Sequence, residues 1–394
     1  MKVCTKCVLP ETHDTIMFDE SGVCGICRQA EYRDEKVDWQ VRKLELDGLI
    51  AQYKDTGLYD CIVPFSGGKD SVFQLWYVIN ELKLKPLVVR FNHWGYRPQI
   101  HQSNTMILKK LGADVFEFTM NWHVIRELML ESLIRRGDFC WHCHTGIYAG
   151  VINMAVKFEV PLILWGESIA EYASWYSYEE KEEVDEKRFN RVMNLGITAD
   201  DMSLFLNGRV SMRDLWMLKY PAYSEIRRLK LRSICLGNYF KWDTKKQVEI
   251  IKQELGWTGQ DVEGIPPIYD YEKIECQFQG VRDYAKYIKR GYGRTAHLVG
   301  IDIRNGRMTR EEGNKLAEEY DGKRPASLDH FLEILQITEE DFYNILTKHQ
   351  VFPWEFDPSK VGSANPLHDM DQWDCTNINK PVGAKVNNKL ETYL

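Results

Sequence analysis

Residues 59–80, YDCIVPFSGGKDSVFQLWYVIN, constrain the fold more than any other stretch of the chain. Residues 61–65 form a short apolar run that reads as a buried strand. Ser66-Gly67-Gly68-Lys69-Asp70-Ser71 follows at once, and then Val72, Leu75, Trp76 and Ile79 recur at helical spacing. A strand, a glycine turn and a helix start make an anion site. Glycines let the backbone approach a phosphate, and the free N–H groups and positive dipole end of the helix point at it. Lys69 adds a point charge, and Ser66 and Ser71 add hydroxyl donors. The spacing differs from the G-x-x-x-x-G-K-[ST] loop of kinase-like NTPases, because four residues do not separate the first glycine from Gly-Lys.

The following segments repeat the alternation. Residues 87–92, opened by Pro86, read as a second buried strand, and 114–119 and 162–165 as a third and fourth. Residues 99–111 and 124–135 carry helical spacing, the first closed by Gly112. Residues 31–57 read as a connecting helix and 229–236 as a further strand. Such an order implies a parallel α/β sheet with right-handed crossovers, whose ligands bind beyond the carboxyl ends of the strands. That rule gathers the SGGKDS loop, Asn92-His93-Trp94, Asn121-Trp122-His123 and Gly166-Glu167-Ser168 on one rim. Residues 171–188 read as a solvated helix or mobile loop, and 190–218 as helical. Helices are expected at 309–320, 327–336 and 338–349, the first with a capping box of Thr309 and Glu312. From Phe356 the chain is loop-like.

Ten cysteines invite a redox reading. The start, MKVCTKC, lacks the apolar core of a signal peptide, and no run of eighteen apolar residues exists, so the chain is expected in a reducing cytoplasm without a membrane span. There, paired Cys-x-x-Cys reads as metal ligation. Cys4-x-x-Cys7 and Cys24-x-x-Cys27, sixteen residues apart, can place four thiolates around one zinc. Four thiolates close the coordination shell, so this zinc knuckle is structural. Phe139-Cys140-Trp141-His142-Cys143-His144 is a second cluster, and Cys235 lies well downstream. These three cysteines can hold a [4Fe–4S] cluster with one open iron, or a metal completed by His142 or His144. The alternative is thiols packed at a helix start. Cys61, Cys276 and Cys375 read as packing residues. The formal charge of −7, with no basic stripe beyond residues 227–232, argues against a large RNA partner.

The SGGKDS loop resembles that of the PP-loop ATP pyrophosphatases, which cut ATP between the α and β phosphates and adenylate an oxygen. Its combination with the zinc knuckle, Trp165-Gly166-Glu167, and the block from Glu275-Cys276-Gln277-Phe278-Gln279-Gly280-Val281-Arg282-Asp283-Tyr284 to Gly291-Tyr292-Gly293-Arg294 is similar to the N-acetyl sugar amidotransferases of surface-polysaccharide and nonulosonic-acid biosynthesis. The resemblance spans roughly residues 1 to 350. It implies conversion of an acetamido group on a nucleotide-linked sugar to acetamidino with ATP, Mg²⁺ and ammonia. A partner glutaminase and a cyclase-like subunit would supply the ammonia.

In this frame Ser66, Gly67, Gly68, Lys69, Asp70 and Ser71 bind the triphosphate, and Phe91 and Asn92 face adenosine. Asp70 either holds Mg²⁺ or caps the helix, and Glu167 binds Mg²⁺ or acts as base for ammonia. Arg282, Arg294 or His93 would meet the anionic sugar nucleotide, or be structural. The competing resemblance is to tRNA 2-thiouridine synthetases, which replace the adenylated oxygen with sulfur using an iron–sulfur cluster; Cys140, Cys143 and Cys235 would hold it here. A non-catalytic, nucleotide-binding zinc-ribbon subunit is the third possibility. The expected organisation is a zinc knuckle at 1–30, a connecting helix at 31–57, a PP-loop domain at 58–240, a helical substrate-side extension at 241–355 and a tail at 356–394.

Overall fold

The structure, a computed structural model, describes residues 1–181 and 183–373. Five strands form one parallel sheet: β1 Cys61–Pro64, β2 Pro86–Asn92, β3 Asp114–Thr119, β4 Leu162–Trp165 and β5 Arg232–Cys235, in the order β3-β2-β1-β4-β5. Ile62 lies in register with Leu87 on one side and Ile163 on the other, and Trp165 with Cys235. β1, β2 and β4 are buried on both faces, which explains their unbroken apolar runs. The chain winds outward from β1 to β3 and then crosses to β4. The crevice between the carboxyl ends of β1 and β4 is therefore the topological switch point.

Helices cover both faces. Lys69–Asn80 and Thr244–Leu255 pack on one side through Val72, Leu75, Val248 and Ile251, and Trp141–Lys157 packs on the other through Val151, Ile152 and Ala155. Helices Trp122–Arg136, Gln279–Arg290, Ser327–Leu335 and Glu339–Thr347 build a separate apolar cluster around Phe139, Phe331 and Phe342. The C-terminal part docks onto the sheet through a short antiparallel bridge, Tyr96 to Cys276, with Arg97 N–H donating to Glu275 O at 3.1 Å. No described helix is long and apolar enough to cross a membrane.

The expected capping box forms: Thr309 N–H donates to Glu312 Oε2 at 2.8 Å, and Glu312 N–H to Thr309 Oγ1 at 3.2 Å. The expected single helix at 31–57 is instead two, Gly25–Glu35 and Trp39–Ile50. Asp38 breaks them, because its carboxylate accepts from the N–H groups of Gln40 and Val41 and starts a new helix. Residues 190–218 are not one helix either. A π-helical turn at Phe189–Met193 and a helix at Ala199–Phe205 are separated by Leu195 and Gly196 at positive φ. The described part of 171–188 is packed rather than solvated: Tyr176, Tyr178 and Val184 are buried, and Gln29 and Arg42 hold Tyr178 by its backbone. Arg33 Nη1 donates to the Glu171 carboxylate at 2.9 Å. Cys61 and Cys276 are free thiols, the first buried inside β1, while Cys375 lies outside the described residues.

Candidate active site

Ser66 to Ser71 bridge β1 and the helix Lys69–Asn80, and side chains elsewhere tie down the loop's own polar groups. Ser71 Oγ accepts from the N–H groups of Ser66 (3.2 Å) and Gly67 (3.1 Å) and donates to Gly68 O at 3.0 Å. Asn104 donates to Ser66 O at 3.2 Å, and the Trp257 indole to Gly67 O at 3.1 Å. Gly67 has φ +95°, and a Cβ there would sit 1.9 Å from Asn104 Oδ1, so both backbone and space demand glycine. The N–H groups of Lys69, Asp70 and Ser71 open the helix and have no intrahelical acceptor. The N–H groups of Gly67 and Gly68 are instead taken by Ser71 Oγ and Ser66 Oγ.

The loop borders a cleft of about 240 Å³ at the switch point. Its charged lining is Lys69, Asp70, Glu167, Arg188, Lys273 and Glu275, with Phe91, Tyr148, Trp165 and Tyr172 as aromatic walls. The cleft thus gathers Lys69, Asp70, Glu167 and Phe91, but other expected residues face elsewhere. Asn92 donates to Glu117 at 3.1 Å and accepts from Trp94 N–H, which occupies its amide. His93 is buried against Tyr96, and burial with Arg90 nearby pushes it down to about 4, so it is neutral. Arg282 faces Asp138 at 3.3 Å, and Arg294 faces Asp283 at 3.4 Å and Glu272 at 3.6 Å.

Lys69 is almost wholly buried, with Nζ 2.8 Å from Asp70 Oδ2 and 2.7 Å from Glu272 Oε2. Burial opposes its charge, but Asp70, Glu272 and Glu167 more than offset that and hold it protonated. Glu272 is pulled down to about 2, because Lys69, Lys273 and Arg294 outweigh its burial. Lys273 holds φ +51°, a left-handed backbone that costs a non-glycine residue about 1 kcal/mol or more. That turn separates Glu272, which faces Lys69, from Glu275, whose Oε2 would lie 2.8 Å from a Cβ on Gly68. Asp70 Oδ1 and Glu275 Oε2 are buried without a partner. Two unsatisfied carboxylate oxygens beside a phosphate loop are the donor set a hard divalent cation takes, so the residues fit Mg²⁺.

Glu167 follows β4 at the cleft wall. Burial, and then the Asp70 carboxylate, push it up to about 8 against the partial relief of Lys69. Its folded value lies above the ordinary 4.5, so folding favours the protonated form. That stabilisation is complete below about pH 4.5 and is lost as pH rises through about 8. In the absence of nucleotide and Mg²⁺, wild-type protein is expected to lose stability relative to Glu167→Gln between these limits. Melting temperatures of the two proteins across pH 5 to about 9 check this; a constant gap would mean that Glu167 is already ionised.

Cys4, Cys7, Cys24 and Cys27 are fully buried, with their sulfurs within 4.8 Å of one another. Among the described residues this is the one cysteine, histidine and carboxylate group so arranged. Cys4 to Cys27 is 4.0 Å and Cys7 to Cys24 is 3.8 Å. A tetrahedral zinc with bonds of about 2.3 Å requires sulfurs about 3.8 Å apart, so the tetrad fits zinc. The N–H groups of Lys6, Cys7 and Cys24 all donate to Cys4 Sγ, as a thiolate requires.

Cys140, Cys143 and Cys235 do not converge, which corrects the expected second metal site. Cys140 caps the helix Trp141–Lys157 next to Asp138 and Arg282, whereas Cys235 ends β5 beside Arg188. His142 is buried and His144 half-buried, and burial pushes both down to about 3, so both are neutral. Sequence reading missed the cleft residues Gln74, Tyr148, Arg188, Lys273 and Glu275, and Glu272 behind Lys69. Gln74 lies in the helix that the loop opens and Glu275 in the later block; Tyr148, Arg188, Glu272 and Lys273 reach the site from segments without a motif.

Residues 268–364 match the family described as LPS biosynthesis protein WbpG-like, C-terminal domain. An uncharacterized protein of Methanocaldococcus jannaschii is 24% identical over 170 residues, which span 42% of this chain and 59% of that protein. Among solved structures, the U34-tRNA thiolase NcsA from Methanococcus maripaludis with its [4Fe–4S] cluster aligns over 81% of this chain and 89% of its own. That alignment has 12% identity and a TM-score of 0.32.

Proposed function

We propose, from the premise that residues 268–364 form a WbpG-like domain of lipopolysaccharide biosynthesis and support the N-acetyl sugar amidotransferase family, that this PP-loop protein is an ATP-dependent amidotransferase acting on a nucleotide-linked N-acetyl sugar. One observation carries the reading. The matched segment supplies Lys273 and Glu275 to the same cleft that the SGGKDS loop and Glu167 border.

The chemistry requires activation, because an amide oxygen is a poor leaving group. Attack of that oxygen on the α-phosphorus breaks the α–β bond, forms an O-adenylyl imidate and releases pyrophosphate. Ammonia then adds to the imidate carbon, and AMP departs with the former amide oxygen, leaving the amidine. The open N–H groups of Lys69, Asp70 and Ser71 would stabilise negative charge on the departing pyrophosphate. Asp70 and Glu275 would hold Mg²⁺, which when bound screens the polyphosphate from these carboxylates. Glu167, pushed up to about 8, is matched to accept a proton from ammonium at the attack step. Zinc in the Cys4, Cys7, Cys24 and Cys27 knuckle would be structural. Ammonia would come from a glutaminase through a cyclase-like partner.

The thiolation alternative asks Cys140, Cys143 and Cys235 to share one cluster, and Cys235 stands apart from the other two beside Arg188, which counts against that ligand set. The deciding experiment supplies purified protein with ATP, Mg²⁺, ammonium chloride and a panel of UDP-N-acetyl sugars carrying ¹⁸O in the acetamide. AMP and pyrophosphate should form, with ¹⁸O in the AMP and an amidine in the sugar. ADP and phosphate as products, or AMP without label, would overturn the reading.

A further inference from the structure

The cleft holds one arginine whose charge nothing described neutralises. Lys69 is matched by Asp70 and Glu272, Arg282 by Asp138, and Arg294 by Asp283 and Glu272. Arg188 also lines the cleft and is 3% exposed, but among the described residues it has no carboxylate partner. Its Nε is buried without an acceptor. Its other contacts are the Cys235 sulfur at 3.7 Å from Nη1 and the Tyr176 ring 5.4 Å away. Of the described acids nearest in sequence, Asp185 accepts Arg188's own backbone N–H at 2.8 Å, Glu183 pairs with Arg232, and Glu186 is exposed to solvent. A buried guanidinium without a counter-charge is costly, and the cleft is the direction from which one can arrive.

The position separates this charge from the phosphate loop. Cys235 ends β5, two strands from β1, which at ordinary strand spacing is roughly 10 Å. Around it, the rings of Tyr148 and Trp165 stack 4.5 Å apart, and Tyr172 lines the same wall. Flat aromatic faces beside a charge suit a small molecule with a sugar or base face and an anionic group. The chain winds into the π-helical turn Phe189–Met193 directly after Arg188, a distortion that often marks functional positions.

We propose that Arg188 is the anion-binding residue of an acceptor subsite, holding a phosphate or carboxylate of the second substrate at the β5 side of the cleft while the SGGKDS loop holds ATP. The proposal rests on the cleft being the reaction site, and it replaces Arg282 and Arg294 as partners of the acceptor's charge.

The test uses thermal stabilisation of full-length protein saturated with α,β-methylene-ATP and Mg²⁺, titrated separately with inorganic phosphate and acetate. At least one anion should stabilise the wild type saturably, and which one does so distinguishes a phosphate from a carboxylate acceptor. Arg188→Gln should weaken that response about tenfold or more, keep the response to α,β-methylene-ATP, and melt no lower than wild type when unliganded. Arg188→Lys should retain part of the anion response, and it carries the test if Arg188→Gln does not fold. No anion response in the wild type, or an undiminished one in Arg188→Gln, would overturn the proposal. Loss of the nucleotide response instead would reassign Arg188 to ATP and also overturn it. A wild type that ignores α,β-methylene-ATP yet shows an Arg188-dependent anion response would sink the ATP reading alone.

Discussion

Lys69→Ala is expected to lower AMP-forming turnover about a hundredfold or more and, in the same protein, to lower stability. The two effects have different origins. Lys69 Nζ sits between Asp70 and Glu272, with side-chain exposures of 9%, 26% and 5%. Removing one partner of such a buried set leaves uncompensated carboxylates and costs about 3–5 kcal/mol. Glu272 still faces Arg294, which reduces the cost toward the lower end. The double variant Lys69→Met with Glu272→Gln removes both charges in the buried pair, so it should recover most of the lost stability and none of the activity. Denaturant midpoints for the single and double variants, with pyrophosphate release measured beside them, separate the effects. Equal stability of wild type and Lys69→Ala would mean that the buried ion set is not formed. Full turnover in either variant would remove the SGGKDS lysine from the chemistry.

The sheet and loop were legible in the sequence because buried parallel strands and glycine turns leave local signatures. Ile62-Val63, Leu87-Val88-Val89 and Leu162-Ile163-Leu164 are apolar on both faces, and each was found within a residue or so of its place. The knuckle was legible for a related reason: two Cys-x-x-Cys pairs encode a local geometry. The rest of the site is tertiary. Arg188 lies in a segment whose exposed Glu179 and Glu180 resemble a solvated face, while Tyr176, Tyr178 and Arg188 are buried by contacts made far away in sequence. Glu272 and Lys273 carry no motif, and their neighbourhood is brought to the loop by the bridge between Tyr96 and Cys276 and the backbone hydrogen bonds beside it. Arg282 and Arg294 misled because charge alone does not show whether a partner is waiting; Asp138 and Asp283 already occupy them. Cys140, Cys143 and Cys235 misled in the same way, since a Cys-x-x-Cys pair and one distant thiol specify no distance between them.

Cys4→Ser is expected to release the metal and to cost several kcal/mol, because structural zinc contributes folding energy directly. The surroundings explain why the loss should spread beyond the knuckle. Residues 1–24 form no helix or strand longer than isolated bridges, so the four sulfurs and the small apolar set of Val8 and Leu9 hold the segment together. Its outer contacts run to the C-terminal helices. Arg310 Nε donates to Cys7 O at 2.9 Å and Cys4 O at 3.3 Å, and Arg290 and Thr12 exchange hydrogen bonds. Leu9 packs against Gly300 on the helix Arg294–Arg304, whose first residue faces Glu272 and through it Lys69. A loosened knuckle therefore removes support from the helix that positions the buried ion set. Atomic emission should find about one zinc per wild-type chain and almost none in Cys4→Ser, and the melting temperature should fall with the zinc content as chelator is added. Cys140→Ser, outside the tetrad, should keep the full zinc content. Iron in place of zinc would reassign the tetrad to a cluster, and an unchanged melting temperature in the metal-free protein would show that the knuckle holds together without its metal.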